Sequence, residues 1–266
     1  MSENPLVSVV MPAYNAERYV EEAISSVVGQ SYRNLELIVI DDASTDGTRA
    51  IIERFMGEDH RIALIQNEVN SGVAVSRNKG IEAASGEWIA LIDSDDSWEN
   101  EKIQKQLRSL LKHNGDISYC SYYMDTFDDN ESLISRKVFQ IEPRVTFESM
   151  LAVNSFSCST VMIRASILKS NPFSLNYYHE DYALWMRLLQ AGSDAVGLVE
   201  PLASYRLHAG SRSSNKFQAA RERWTIYRKG LGLSLPQSIC SFWRYALFGI
   251  RKYGRQSKDA RSVHEL

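Results

Sequence analysis

Cysteine is scarce in this chain. Its three cysteines, Cys120, Cys158 and Cys240, are odd in number and far apart. They offer neither a disulfide framework nor metal-ligand spacing, which suits a reducing cytoplasm. Long apolar runs are missing as well: none approaches the roughly 20 residues of a membrane span. The first residues carry no basic stretch, and Leu6 to Met11 is too short for the apolar part of a secretion signal. The expected location is therefore cytoplasmic. No low-complexity tract and no internal repeat is present. Neither GxGxxG nor GxxxxGK followed by Ser or Thr occurs, so dinucleotide and P-loop versions of an α/β sheet lose their main support. Nor is there an excess of one charge. Thirty Lys/Arg against 33 Asp/Glu give a net −3, which argues against general nucleic-acid binding.

What is present is a repeated junction between apolar strands and acids. Trp88-Ile89-Ala90-Leu91-Ile92 ends abruptly in Asp93-Ser94-Asp95-Asp96. In open α/β sheets, ligands bind at the carboxyl ends of the strands. Three carboxylates in four residues repel one another unless a cation compensates. Mg²⁺ or Mn²⁺ takes one or two carboxylates together with substrate phosphates. An isolated motif of this kind reads equally well as a solvated turn before a helix, but here it is not isolated. Leu35 to Ile40 is a second strand-like run, ending in Asp41-Asp42-Ala43-Ser44-Thr45-Asp46-Gly47. Asp42, Ser44, Asp46, Gly47 and Glu53 also follow the order of an EF-hand loop, but that motif needs an entering helix, whereas Leu35 to Ile40 is short and β-branched-rich. The better reading gives Asp41 or Asp42 to a ligand and makes Ser44 or Thr45 the cap of the next helix.

Strand and helix patterns alternate through the first half. Strands are expected at Val7–Met11, Leu35–Ile40, Ile62–Ile65, Trp88–Ile92 and Ile117–Tyr122. Helices are expected at about Glu17–Val28, Asp46–Met56, Val73–Ala84 and Glu99–Lys112. This order predicts an α/β fold with a mostly parallel sheet covered on both faces. Beyond Asp125 the pattern is less regular. Strands are expected at Leu133–Ile141 and Ser157–Ile163, a short helix at Thr146–Leu151, and a strongly apolar helix at Glu180–Ala191. Extended chain follows from Ala195 to Leu207, then a basic helical remainder. From Arg221 onward ten Lys/Arg face three Asp/Glu, a surplus of +7.

These residues resemble the family 2 glycosyltransferases of GT-A fold, within which the chain is most similar to bacterial enzymes building surface polysaccharides such as teichuronic acid, capsule or O-antigen. Five ordered signatures over roughly residues 5–215 carry the resemblance. They are Val9 to Asn15, Glu36 to Gly47, Asn70-Ser71-Gly72 with Ser76 to Gly80, Asp93 to Asp96 with Trp98, and Glu180 to Leu188. The resemblance implies a catalytic domain over 1–215, a basic helical extension over 216–266, and inverting transfer from a nucleotide-diphosphate sugar. Pro12, Ala13 and Tyr14 would line the nucleoside pocket. Asp42 would accept a hydrogen bond from uracil, and Arg77 would reach the base or pyrophosphate. Asp93, Ser94 and Asp96 would meet the donor, with Asp95 as metal ligand for Mn²⁺ or Mg²⁺ and His208 completing the metal shell or touching the diphosphate. Asp181 would be the general base, with the competing reading that Glu180 or Asp181 merely caps its helix. Tyr177 and Tyr178 would stack on an acceptor sugar or pack in the core.

The implied partners are a nucleotide-sugar donor and a saccharide or lipid-linked saccharide acceptor, with no nucleic acid. In the tail, a helical wheel over Gln237–Arg255 gathers Ile239, Phe242, Trp243, Ala246 and Ile250 opposite Arg244, Arg251, Lys252 and Arg255. Such a helix lies in an anionic membrane interface or docks on its own catalytic domain. The first arrangement would make the protein peripheral at the inner face of the membrane. Two other functions fit less well. A nucleotidyltransferase needs a Gly-rich basic loop where this chain has Pro12-Ala13-Tyr14-Asn15, and a non-catalytic donor-binding protein would not need the full set of acids.

Overall fold

The computed structural model describes residues 4–128, 130–207 and 216–247. The first half follows the expected alternation: β1 (Val7–Ala13), α1 (Val20–Val28), β2 (Leu35–Asp41), α2 (Thr48–Glu58), β3 (Ile62–Gln66), α3 (Val73–Ala83), β4 (Trp88–Leu91), a short β5 (Ser97–Trp98), α4 (Lys102–His113) and β6 (Ile117–Phe127). The second half adds β7 (Leu133–Phe139), α5 (Phe147–Ala152), β8 (Met162–Arg164), α6 (Ala165–Ser170), α7 (Glu180–Gln190), β9 (Ala195–Leu207) and α8 (Lys216–Thr225). A π-helical turn at Ile226–Gly230 follows, and a last helix, α9, spans 235–247.

The sheet runs β3-β2-β1-β4-β8-β6-β9-β5, with β7 paired to β6. Strands β1, β2, β3 and β4 are mutually parallel. β8 is antiparallel to both β4 and β6, and β9 is parallel to β6. Six strands therefore share one direction, against β5, β7 and β8. Period-two alternation divides the apolar residues between the two faces. Val7, Val9, Met11, Leu37 and Val39 join α1, α2 and α4. Val10, Ile38 and Ile40 join α3, α5, α6 and α7. Helix α3 lies so close to the sheet that a Cβ on Gly80 would stand 2.5 Å from side-chain carbons of both Val10 and Ile40, so only glycine fits there.

The structure departs from the sequence reading at several places. The segment from Ser157 is not strand until Met162. Ser157 and Thr160 instead close a 3₁₀ turn, Thr160 Oγ1 accepting from the Ser157 N–H and donating to its carbonyl. Hydroxyl side chains offering the backbone such local bonds compete with strand pairing. Helix α6 forms where the sequence pattern predicts no helix. At α2, Asp46 accepts from the Thr48 N–H at 3.0 Å. Ser44 accepts from Asn15 N–H and Thr45 donates to the Asn15 side chain, so these two tie loops together rather than cap the helix. Strand β9 holds its register with β6 only through irregularities on either side of Ser121, which pairs with Pro201, a residue lacking the N–H a regular ladder needs. In the tail, Ile226, Tyr227, Leu231 and Leu233 belong to the same buried cluster as α7.

Candidate active site

The parallel strands deliver their ends to one edge. β1 ends in buried Pro12 and Ala13, with Tyr14 half-exposed just beyond. β2 ends in Asp41, followed by Asp42, and both are buried. β2 follows a strand-only pattern here, so Asp42 to Gly47 sits on a strand-to-helix loop without the entering helix of an EF-hand. Asp42 is held by three donors. Its Oδ1 accepts from Asn67 Nδ2 at 2.6 Å and the Ser71 N–H at 2.8 Å, and its Oδ2 from the Gly72 N–H at 2.8 Å. Burial alone would raise the Asp42 pKa, but these hydrogen bonds outweigh it and hold the carboxyl below its ordinary value. The Ser76 hydroxyl adds a further stabilising hydrogen bond to the same carboxylate. Gly72, at φ 87°, turns the chain so that its N–H and that of Ser71 converge on Asp42.

The second acidic strand end is built differently. Asp93 Oδ1 accepts from Arg77 Nη2 at 2.6 Å, and Arg77 Nη1 donates to Glu180 at 2.9 Å. Arg77 lies on α3 and is 4% exposed. Burial disfavours its charge, but Asp93 and Glu180 more than compensate and keep the guanidinium charged. Rather than extending toward open solvent, Arg77 bridges the turn after β4 to the start of α7. Phe173 covers the guanidinium at 5.3 Å from its ring centre.

Asp96 is buried as well, at 2% exposure. Its Oδ2 accepts from Ser159 Oγ, and its Oδ1 from the Arg206 N–H at 3.1 Å. Burial first, then repulsion from Asp95 and Asp93, pushes its pKa well above the carboxylate range despite those bonds. The same Ser159 Oγ accepts from the Asp93 N–H at 3.0 Å, and the Ser159 carbonyl accepts from the Trp98 indole at 2.7 Å. Ser159 thus clamps both ends of Asp93-Ser94-Asp95-Asp96. Arg206 closes the turn from the other side, its Nε donating to the Asp95 carbonyl at 3.3 Å. Ser94 and Asp95 are half-buried between these anchors.

Asp181 is half-buried in the first turn of α7, its Oδ1 accepting from the Tyr182 N–H at 2.7 Å. Glu180, one residue earlier, is 5% exposed and paired with Arg77. The two adjacent acids are therefore divided between anchoring and the open side. Tyr177 packs against the core cluster of α7. His208 lies outside the described residues. Sequence reasoning missed Asn67 and Ser159, and gives Arg206 no role beyond its place in Tyr205-Arg206-Leu207-His208, which resembles the family's closing segment. Asn67 was findable, since it follows β3 beside the end of β2; nothing near Ser159 points to Asp96, 63 residues away.

A divalent cation is compatible with the donor set on this edge. Among the described residues, no three His, Cys, Asp or Glu side chains gather as a self-sufficient cage. One or two carboxylates completed by substrate phosphates is the usual arrangement for Mg²⁺. Asp95, with Asp93 beside it, supplies hard oxygen donors of that kind.

Comparison with known proteins agrees with this architecture. The family model described as "Glycosyl transferase family 2" matches residues 8–171. The putative teichuronic acid biosynthesis glycosyltransferase TuaG of Bacillus subtilis is 37% identical over 93% of this chain and 97% of its own length. WfgD of Escherichia coli, a UDP-Glc:alpha-D-GlcNAc-diphosphoundecaprenol beta-1,3-glucosyltransferase, is 35% identical over 96% of this chain and 98% of its own. Among solved structures, Staphylococcus aureus TarS 1-349 in complex with UDP-GlcNAc superposes with TM-score 0.71 at 23% identity, covering 90% of this chain and 71% of that one. The mannosyltransferase PcManGT of Pyrobaculum calidifontis, in complex with GDP-Man and Mn²⁺, gives TM-score 0.70 at 18% identity, covering 92% and 70%. With its strand-end acids on one edge and this similarity along nearly its whole length, the chain belongs to glycosyl transferase family 2 and is a glycosyltransferase.

Proposed function

We propose that this glycosyltransferase moves a sugar, with inversion, from a UDP-sugar to a hydroxyl of a lipid-linked saccharide during surface polysaccharide assembly. The observation that carries the reading is the division of labour between Glu180 and Asp181. Arg77 fastens Glu180 to Asp93, so α7 is pinned against the donor-side acids. Asp181 is thereby left on the half-open side of the same helix start, where an acceptor hydroxyl can approach. Asp181 takes the acceptor proton while the acceptor oxygen bonds to the anomeric carbon. The bond from that carbon to the diphosphate oxygen breaks, and its electron pair leaves with the nucleoside diphosphate. A divalent cation held by Asp95 and Asp93 would neutralise charge on the departing diphosphate. His208 would add a ligand or contact the diphosphate. Pro12, Ala13, Tyr14 and Asp42 would receive the nucleoside, with Ser94 facing the donor. Asp96 serves the site by fixing its turn.

The names of TuaG and WfgD support the polysaccharide and lipid-linked-acceptor parts of this reading. A lipid-linked acceptor also puts the enzyme at the membrane face, although no helix among the described residues is long and apolar enough to cross a membrane. The test is Asp181→Asn, assayed with a panel of UDP-sugars and the lipid-linked acceptor. Transfer should fall by on the order of 10²–10⁴, while UDP and Mn²⁺ still bind. Near wild-type transfer, or a product retaining the donor's anomeric configuration, refutes the single-displacement mechanism.

A further inference from the structure

The tail helix α9 has two unlike faces. One packs inward: Ser238 and Ser241 are buried, and the Phe242 ring meets Trp224 nearly at right angles, 5.8 Å between centres. The Tyr245 ring receives the Arg223 guanidinium at 4.6 Å, and Arg223 in turn lies 3.7 Å from the centre of the Tyr182 ring. The other face carries Leu235, Ile239, Trp243 and Leu247, which are 53%, 43%, 64% and 49% exposed. Spaced by four, they drift slowly around the helix and form a continuous stripe. Pro236 and Cys240 fill the same exposed arc, and Gln237 and Arg244 border it. This differs from the stripe read off the sequence: Phe242 has turned inward, and Ile250, Arg251, Lys252 and Arg255 lie outside the described residues.

We propose that this outer face of α9 docks the enzyme on an anionic lipid bilayer, a proposal that rests on the lipid-linked-acceptor reading. Soluble proteins rarely leave large apolar side chains contiguous and exposed without a partner. The charge of the tail selects the partner. Arg221, Arg228, Lys229 and Arg244 are exposed on the same tail, which carries ten Lys/Arg against three Asp/Glu from Arg221 onward. A second copy would bring like charge against like charge, whereas an anionic headgroup layer neutralises it. Tryptophan and aliphatic side chains on one side of a helix within a basic tail are the composition that settles into the headgroup boundary. The contact also has a consequence for orientation. α9 touches Arg223, Arg223 stacks on Tyr182, and Tyr182 follows Asp181. Docking through α9 therefore fixes the acceptor side of the site relative to the lipid surface.

The experiment is sedimentation of the full chain with vesicles of phosphatidylglycerol and phosphatidylcholine, or phosphatidylcholine alone. Wild-type protein should bind the anionic vesicles, and binding should weaken with salt. The exposed double variant Ile239→Ser/Trp243→Ser should lose about tenfold or more in binding, as expected when two apolar side chains no longer leave water. Its UDP binding and its transfer to a short water-soluble acceptor should stay near wild type. Absence of wild-type binding, or unchanged binding of the variant, overturns the proposal. So does a concentration-dependent dimer in sedimentation velocity that the variant abolishes, since a second copy then covers the stripe. If wild-type protein fails to glycosylate even the soluble acceptor, the functional reading fails, and vesicle binding is judged on its own.

Discussion

The loops after β2 and β4 begin alike in sequence, an apolar run broken by acids, yet the fold resolves their charge by opposite means. Behind β2, the Asp42 carboxylate is satisfied by neutral donors: one amide side chain and two backbone N–H groups. Behind β4, Asp93 is balanced by a buried full charge, Arg77, while Asp96 is tied by a hydroxyl and a backbone N–H. Neutral donors stabilise an ionised carboxylate without altering the net charge, so the first loop stays anionic and orders itself. A bridging guanidinium couples two distant acids, so the second loop is joined mechanically to α7. A similar local signature thus yields a binding loop in one place and a joint in the other.

The largest test of that contrast is Arg77→Met. It leaves Glu180 buried and Asp93 partly buried without their cation, a loss of about 3–5 kcal/mol for breaking a buried pair. Chemical denaturation should show it, and a drop of less than about 1 kcal/mol would deny that Arg77 joins the two elements. The next test uses Lys102, which is fully buried, hydrogen-bonded to Gln106 and 3.9 Å from the centre of the Trp98 ring behind the second loop. Burial lowers its pKa from 10.5 to about 8. Between these values the unfolded chain binds more protons than the folded one, so Lys102 makes stability rise with pH across that window. The slope approaches ~1.4 kcal/mol per pH unit. The difference between wild type and Lys102→Met, measured from pH 7 to 10.5, should carry this rise; parallel curves would refute it.

Asp42→Ala should cost about 1–3 kcal/mol by orphaning three donors, and should weaken UDP binding. The Asp42 contribution has the opposite pH sense. It is present above the ordinary carboxylate pKa of 3.8 and is lost as pH falls through the lowered folded value. Acid titration of wild type against the variant checks that direction. The smallest effect belongs to Ser159→Ala, about 1 kcal/mol of stability. Its more telling readout is a weaker metal-dependent component of UDP affinity, because Asp93 and Asp96 lose their common partner. Equal Mn²⁺ enhancement in wild type and variant would exclude the clamp.

Much of this arrangement was legible because it is local. Buried parallel strands write themselves as apolar runs, and acids at their ends stand out against them. The edge that gathers Pro12, Ala13, Tyr14, Asp42 and Asp93 to Asp96 follows once those strands are parallel. What was not legible depends on partners far away in sequence. Nothing near Arg77 indicates that it would reach inward to Glu180 rather than outward. The hydroxyl run of Ser155, Ser157, Ser159 and Thr160 is the local trace of the turn, but the segment reads as strand because Val161, Met162 and Ile163 dominate the pattern. The tail helix was legible as amphipathic, but which of its aromatics turned inward was decided by the rings of Trp224 and Tyr182.

The double anchoring of Asp96 bears on how the protein is made. Ser159 follows it by 63 residues and Arg206 by 110. At ribosomal rates of about 5–20 residues per second, the nascent chain carries its acid cluster unsecured for on the order of 10 s. The β1–β4 half can collapse on its own apolar runs during that time, while the turn that defines the reaction centre must wait for the end of β9. Synthesis should therefore pass through a state with a formed donor-side sheet and an unfinished centre. A pause engineered between codons 96 and 159 would lengthen its life.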